Sequence, residues 1–200
     1  MKNCISNLCR CAIITALMSQ VVACGITKQA VASGITINDD SSIQGIIIEE
    51  FDENQYSITE LESFINSEVN DYNAQNGVGR VSAISPELKE GKVVVTMDYA
   101  SFDDYAAFNN RRLQKFSLNE AISQGMLGVA FKDAKDGNVT DVSTVDKPEE
   151  YSLVITDEPG AINTPGKIAY VSDGVVVDGK TRAIISDDMD GLAYIIYSNK

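Results

Sequence analysis

The side chains able to do chemistry in this chain are mostly carboxylates. Of 200 residues, 29 are Asp or Glu and none is histidine. That removes Ser-His-Asp and Cys-His catalysis together with imidazole metal ligation. No serine is followed three residues later by lysine, so the S-x-x-K nucleophile arrangement is missing as well. No Walker A loop occurs, and "NGVGRVS" departs from the dinucleotide fingerprint after its second glycine. The acids form three adjacent pairs, Glu49-Glu50, Asp103-Asp104 and Asp187-Asp188. Glycoside hydrolysis needs two carboxylates facing each other across about 5 to 9 Å. Neighbours on a strand point to opposite faces, and no tryptophan offers a sugar platform.

Calcium is the other use for clustered acids. "SDDMDGLAYIIY" supplies Asp188, Asp190 and Gly191 in the manner of an EF-hand loop, but Ser186 and Tyr197 occupy the first and last ligand places. "KDAKDGNVTD" brings Asp133, Asp136 and Asp141 into a second acidic turn. Both also read as solvated hairpin tips. Tyr170, Tyr194 and Tyr197 lie in strand-like segments, where they either pack in a core or line a carbohydrate or peptide patch.

The elements that must position these groups are legible from spacing. "IQGIIIEEF" (43–51) is a β-branched run bounded by turn formers. In "SITELESFINSEVNDYNAQNG", Leu61, Phe64, Ile65, Val69 and Tyr72 repeat at helical intervals. Ser57 and Glu60 predict a capping box, and Asn76-Gly77 predicts the stop. "GRVSAIS" and "KVVVTMDYA" read as strands joined by "PELKEG". Ser101 with Asp104, and Ser117 with Glu120, predict the starts of two shorter helices. The last third is strand after strand, with Asp-Gly at 173, 178 and 190 predicting hairpins. Helices early and strands late give an α+β fold, with helices packed on one face of an antiparallel sheet and a C-terminal β-meander.

Charge and cysteine usage set the surroundings. The formal charge is −13. Residues 1–23 carry only Lys2 and Arg10, so the remainder has 14 bases against 29 acids. Such a body repels phosphate backbones, and nucleic acid is not an expected partner. All four cysteines, Cys4, Cys9, Cys11 and Cys24, fall at the N-terminus, in a spacing unlike that of zinc knuckles. "CAIITALMSQVV" (11–22) is an apolar stretch of signal-peptide length, too short to span a bilayer.

Val21-Val22-Ala23-Cys24 resembles the lipobox of bacterial lipoproteins, and the whole is similar to small surface lipoproteins of Firmicutes-type bacteria. The resemblance implies that residues 1–23 are a signal peptide and that cleavage leaves Cys24 first. Its sulfur would then carry a diacylglyceryl group with chains such as palmitate. Two acyl chains give a stable anchor. On this reading residues 24–42 are the lipidated cysteine and a flexible tether, of reach roughly 20–25 Å, and 43–200 form one acidic domain. The expectation is a lipid-anchored protein on the extracytoplasmic face of a cell membrane. It would act as a non-catalytic binding or envelope-associated module, without cofactor or metal. An interaction or inhibitor subunit of a membrane complex, and a carboxylate-dependent enzyme, are the alternatives.

Overall fold

A computed structural model of the chain describes residues 33–199. In chain order the strands are β1 (Gly34–Ile37), β2 (Ile43–Glu50), β3 (Val81–Lys89), β4 (Lys92–Tyr99), β5 (Leu113–Ser117), β6 (Phe131–Asp133) and β7 (Val139–Thr140). They continue with β8 (Tyr151–Thr156), β9 (Gly160–Asn163), β10 (Ile168–Ser172), β11 (Val175–Asp178), β12 (Arg182–Ile185) and β13 (Ala193–Ser198). Between them lie helices α1 (Ile58–Asn76), α2 (Phe102–Asn109) and α3 (Leu118–Ser123). The first sheet has the order β11-β12-β9-β1-β2-β4-β3 and the second β5-β8-β13-β10-β6-β7. Among the described residues every strand pairing is antiparallel except β1 with β9. The class is α+β, strand-rich in its C-terminal half.

Two expectations need correction. The C-terminal strands do not form a meander, because from β8 to β13 every step except β11 to β12 passes from one sheet to the other. Of the three Asp-Gly turns only Asp178-Gly179 closes a hairpin, pairing β11 with β12. Asp173-Gly174 and Asp190-Gly191 carry the chain from one sheet to the other, β10 to β11 and β12 to β13. A glycine at positive φ tightens the turn at Gly174 as at Gly179, but the dipeptide does not choose the sheet in which the next strand lands.

The second correction concerns the segment read as tether. Its C-terminal part is β1, seated between β2 and β9 at the middle of the first sheet. Ile35 and Ile37 are 2% and 1% exposed, and burying two such side chains contributes about 3–6 kcal/mol. Ordering four residues costs about 4–8 kcal/mol. The strand therefore depends on its hydrogen-bonded ladders on both sides. Gly34 permits the close approach: a Cβ there would lie 2.2 Å from the Ala161 carbonyl oxygen. Cys24, the expected lipidation site, lies outside the described residues.

Strand register explains the core. Val177, Ala183, Ile162, Ile35, Gly45, Met97 and Ala83 stand side by side across the seven strands of the first sheet. This inner face shares one hydrophobic cluster with Leu113, Val154, Val171, Ile195 and Tyr197 of the second sheet. Ile65 and Val69 of α1, and Phe102 and Tyr105 of α2, belong to the same cluster. Leu118 and Ala121 of α3 join a second cluster with Leu153, Ile155 and Ile196, which is why β8 and β13 are buried on both sides. Edge-on rings tie α1, α2 and β4 together: Tyr72 to Phe108 at 5.5 Å, Phe108 to Tyr99 at 5.8 Å and Tyr99 to Tyr105 at 4.9 Å. Each such pair adds about 0.5–1.5 kcal/mol beyond burial.

The helix caps follow the sequence closely. Ser117 and Glu120 form the reciprocal capping box, each side chain meeting the other's backbone N–H. At α1 the Ser57 hydroxyl accepts from the Glu60 N–H at 3.4 Å, half of the expected exchange.

Candidate functional site

The adjacent acids are separated as strand and helix geometry require. Glu50 is exposed and paired with Lys92 at 3.0 Å. Glu49 is partly buried, and burial followed by the neighbouring Glu50 charge raises its pKa. Asp188 accepts from the Ser186 hydroxyl. In the second acidic turn Asp133, Asp136 and Asp141 each accept the backbone N–H two residues onward, at 2.7, 2.9 and 3.0 Å. These are Asx turns. No group of three or more potential metal ligands occurs among the described residues. Tyr170 and Tyr194 pack against the second cluster and Tyr197 is buried in the first.

Asp103-Asp104 divides most sharply. Asp103 is exposed, whereas Asp104 is 3% exposed. The Asp104 carboxylate takes Arg80 Nη2 at 2.6 Å and Nε at 3.0 Å, the Ser101 hydroxyl, and the Tyr72 hydroxyl at 3.1 Å. Burial, the bonded carboxylate and its charge together push the Tyr72 hydroxyl upward. This network fastens α1, the start of β3 and the start of α2 to one another. Its acceptor sites are filled from within, so its role is structural.

A different arrangement lies at the other end of α2. The helix ends at Asn110, which adopts the left-handed conformation at φ 51°, and the chain then enters β5 through Arg111 and Arg112. Arg112 is held by its backbone. Its N–H donates to Asp157 Oδ1 at 2.8 Å, and its carbonyl accepts the Asp157 N–H at 3.2 Å and the Thr156 hydroxyl at 2.9 Å. The exposed guanidinium makes no hydrogen bond or ion pair among the described residues. Arg112 lines an open cavity of about 300 Å³ with Arg111, Asn110, Gln114, Leu113 and the α2 residues Asp103 and Ala106.

Behind the cavity, Arg111 Nε lies 3.6 Å from Glu158 Oε2, within ion-pair range and beyond hydrogen-bond reach. That oxygen is buried without a hydrogen-bond partner. Burial raises the Glu158 pKa against the opposing pull of Arg111 and of the Tyr105 hydroxyl. Tyr105 is pushed well above the ordinary phenol range, by burial first and the Glu158 charge second. Two arginines, an asparagine and a glutamine thus line one concavity, together with the exposed Asp103. Planar forks of N–H donors suit a carboxylate or another oxyanion, and the volume is near the lower end for small-ligand pockets.

This site was not among the sequence expectations. The only signal was "NNRRLQKF", the most basic stretch of an acidic chain, which by itself reads as solvated charge. Compared with models of known families, with curated proteins and with solved structures, the chain matches none of them.

Proposed function

We propose that this chain is a lipid-anchored module on the extracytoplasmic face of a cell membrane that binds a carboxylate-bearing ligand without converting it. The anchor rests on Val21-Val22-Ala23-Cys24 and the charged, apolar segment before it. The binding role rests on one observation, the unpartnered guanidinium of Arg112 beside Arg111, Asn110 and Gln114 in the cavity. Among the described residues Arg80, Arg111 and Arg182 each have a carboxylate within 4 Å, and the Arg112 guanidinium has none. Glu158 pairs with Arg111 from behind, Asp157 is engaged by the Arg112 backbone N–H, and the Arg112 guanidinium stays available. We also read α1 and α2 as lying together over the inner face of the first sheet, leaving the end of α2 open at the cavity.

Binding is tested by following side-chain NMR signals during titration with sodium acetate, with sodium chloride at equal ionic strength as control. The Arg112 Nε–H and the Asn110 and Gln114 amide signals move saturably at millimolar acetate. Arg112→Ala abolishes the movement while leaving stability within about 0.5 kcal/mol, as for surface substitutions generally. Shifts that grow linearly and match those in chloride refute the site. The anchor is tested separately, by the intact mass of the product from a lipoprotein-processing host.

A further inference from the structure

The first sheet has a second face, and its composition differs from that of the rest of the molecule. Strand register places Val176, Ile184, Ile46 and Ile84 in one line across it, with Ile48 and Val94 in the neighbouring row. None of these six belongs to either core cluster. Val176 is 66% and Ile84 51% exposed. At about 4.8 Å between strands, the line runs about 29 Å from β11 to β3.

The same face is close to electroneutral. Its strand positions carry three bases, Lys89, Lys92 and Arg182, against four acids, Glu50, Glu87, Asp98 and Asp178. They neutralise one another in the pairs Lys89–Glu87, Lys92–Glu50 at 3.0 Å and Arg182–Asp178 at 3.7 Å. Asp98 accepts from the Gln44 amide at 2.9 Å. In a chain of net charge −13, nearly all the excess negative charge therefore lies elsewhere.

We propose that the anchored domain rests on the bilayer through this outer face. The inference depends on the anchor assigned above and adds an orientation to it. Three physical terms favour that orientation. Apolar β-branched side chains gain from entering the interfacial zone. Anionic headgroups repel the acidic remainder but not the balanced face. The tie is also short. Nine residues separate Cys24 from Gly34, so even a fully extended connection spans about 35 Å, less than the roughly 40 Å diameter of a body this size. The tie enters the first sheet at β1, whose Gly34 stands in the apolar line between Ile46 and Ala161. A domain held so close samples the surface continually, and the low-charge face is the one that stays.

The test uses the processed, lipidated chain from Cys24 onward in vesicles of phosphatidylcholine with a quarter phosphatidylglycerol. Acylation occupies the Cys24 sulfur and no cysteine follows it, so one introduced cysteine takes a nitroxide label cleanly. Labels at Val176→Cys and Ile84→Cys report the face. A label at Val139→Cys, on β7 in the other sheet and 73% exposed, is the control. Collisions with a water-soluble nickel chelate are expected to be at least threefold rarer at the two face positions than at the control. Equal collision rates in a chain that floats with the vesicles overturn the docking and leave the anchor standing. A chain that does not float overturns both. Shielding accompanied by spin–spin broadening between labels means that a second copy covers the face, and this too overturns the proposal.

Discussion

Removing Arg80 should destabilise the fold more than neutralising Asp104, although the two form one ion pair. The reason is an asymmetry of burial: the Arg80 side chain is 41% exposed and that of Asp104 4%. In Arg80→Met an ionised carboxylate stays inside with only the Ser101 and Tyr72 hydroxyls to hold it. Breaking a buried pair from one side costs about 3–5 kcal/mol. The exposure of the guanidinium, already partly solvated, places this case near 3 kcal/mol. In Asp104→Asn no charge is left buried, the arginine swings back into water, and the amide oxygen still accepts from the Tyr72 hydroxyl, so the loss falls to about 1–2 kcal/mol. The double variant has no buried charge and should cost about 2 kcal/mol, which makes the coupling about 2–3 kcal/mol. Urea titrations followed by far-ultraviolet circular dichroism measure all three at unchanged m-value. The melting temperature of Arg80→Met should fall by about 6–12 °C. Asp104→Asn proving the more damaging of the two, or a coupling below about 0.5 kcal/mol, would refute the reasoning.

Glu158 gives a pH signature. Its folded pKa lies above the unfolded value because of burial, so the unfolded chain loses this proton first. The stability associated with the protonated form is complete below the ordinary glutamate pKa and is lost as pH rises through the raised value. Glu158→Gln should flatten the stability profile just above pH 4.5, and an unchanged slope there contradicts the assignment. Gly34→Ala forces a methyl group to 2.2 Å from the Ala161 carbonyl and should cost at least about 2 kcal/mol. A neutral result in the same urea titration would show that this segment does not sit between β2 and β9. Ser117→Ala removes the hydroxyl half of the capping exchange at α3 and leaves Glu120 accepting the backbone N–H of residue 117; it should cost about 1 kcal/mol, read as a lower urea midpoint.

Local order was legible where one stretch of sequence carries its own signal. The α1 stripe, the caps at Ser101 and Ser117 and the hairpin of β3 with β4 all depend on residues within a few positions of one another. What escaped the sequence depends on distant partners. β1 has only two isoleucines of alternation, and its neighbour Ile162 lies far along the chain. β9, four residues between Pro159 and Pro165, likewise pairs with β1 from across the chain. Asp104 offered a helix cap in sequence. That it is also a buried anion follows only once Arg80 and Tyr72 arrive from other elements. The cavity is similar: two arginines in series carry no information until α2 ends beside them and Asp157 fixes the backbone of Arg112.

The position of β1 has a kinetic consequence. It joins the β2-β4-β3 half of its sheet to the β9-β12-β11 half, and the Gly34–Ala161 pairing spans 127 residues of sequence. A polypeptide emerging from its N-terminus must hold one flank of β1 unsatisfied until β9 is available. High contact order of this kind slows folding and prolongs exposure of a sticky edge. Late closure of that seam, rather than formation of any helix, should therefore set the pace of maturation.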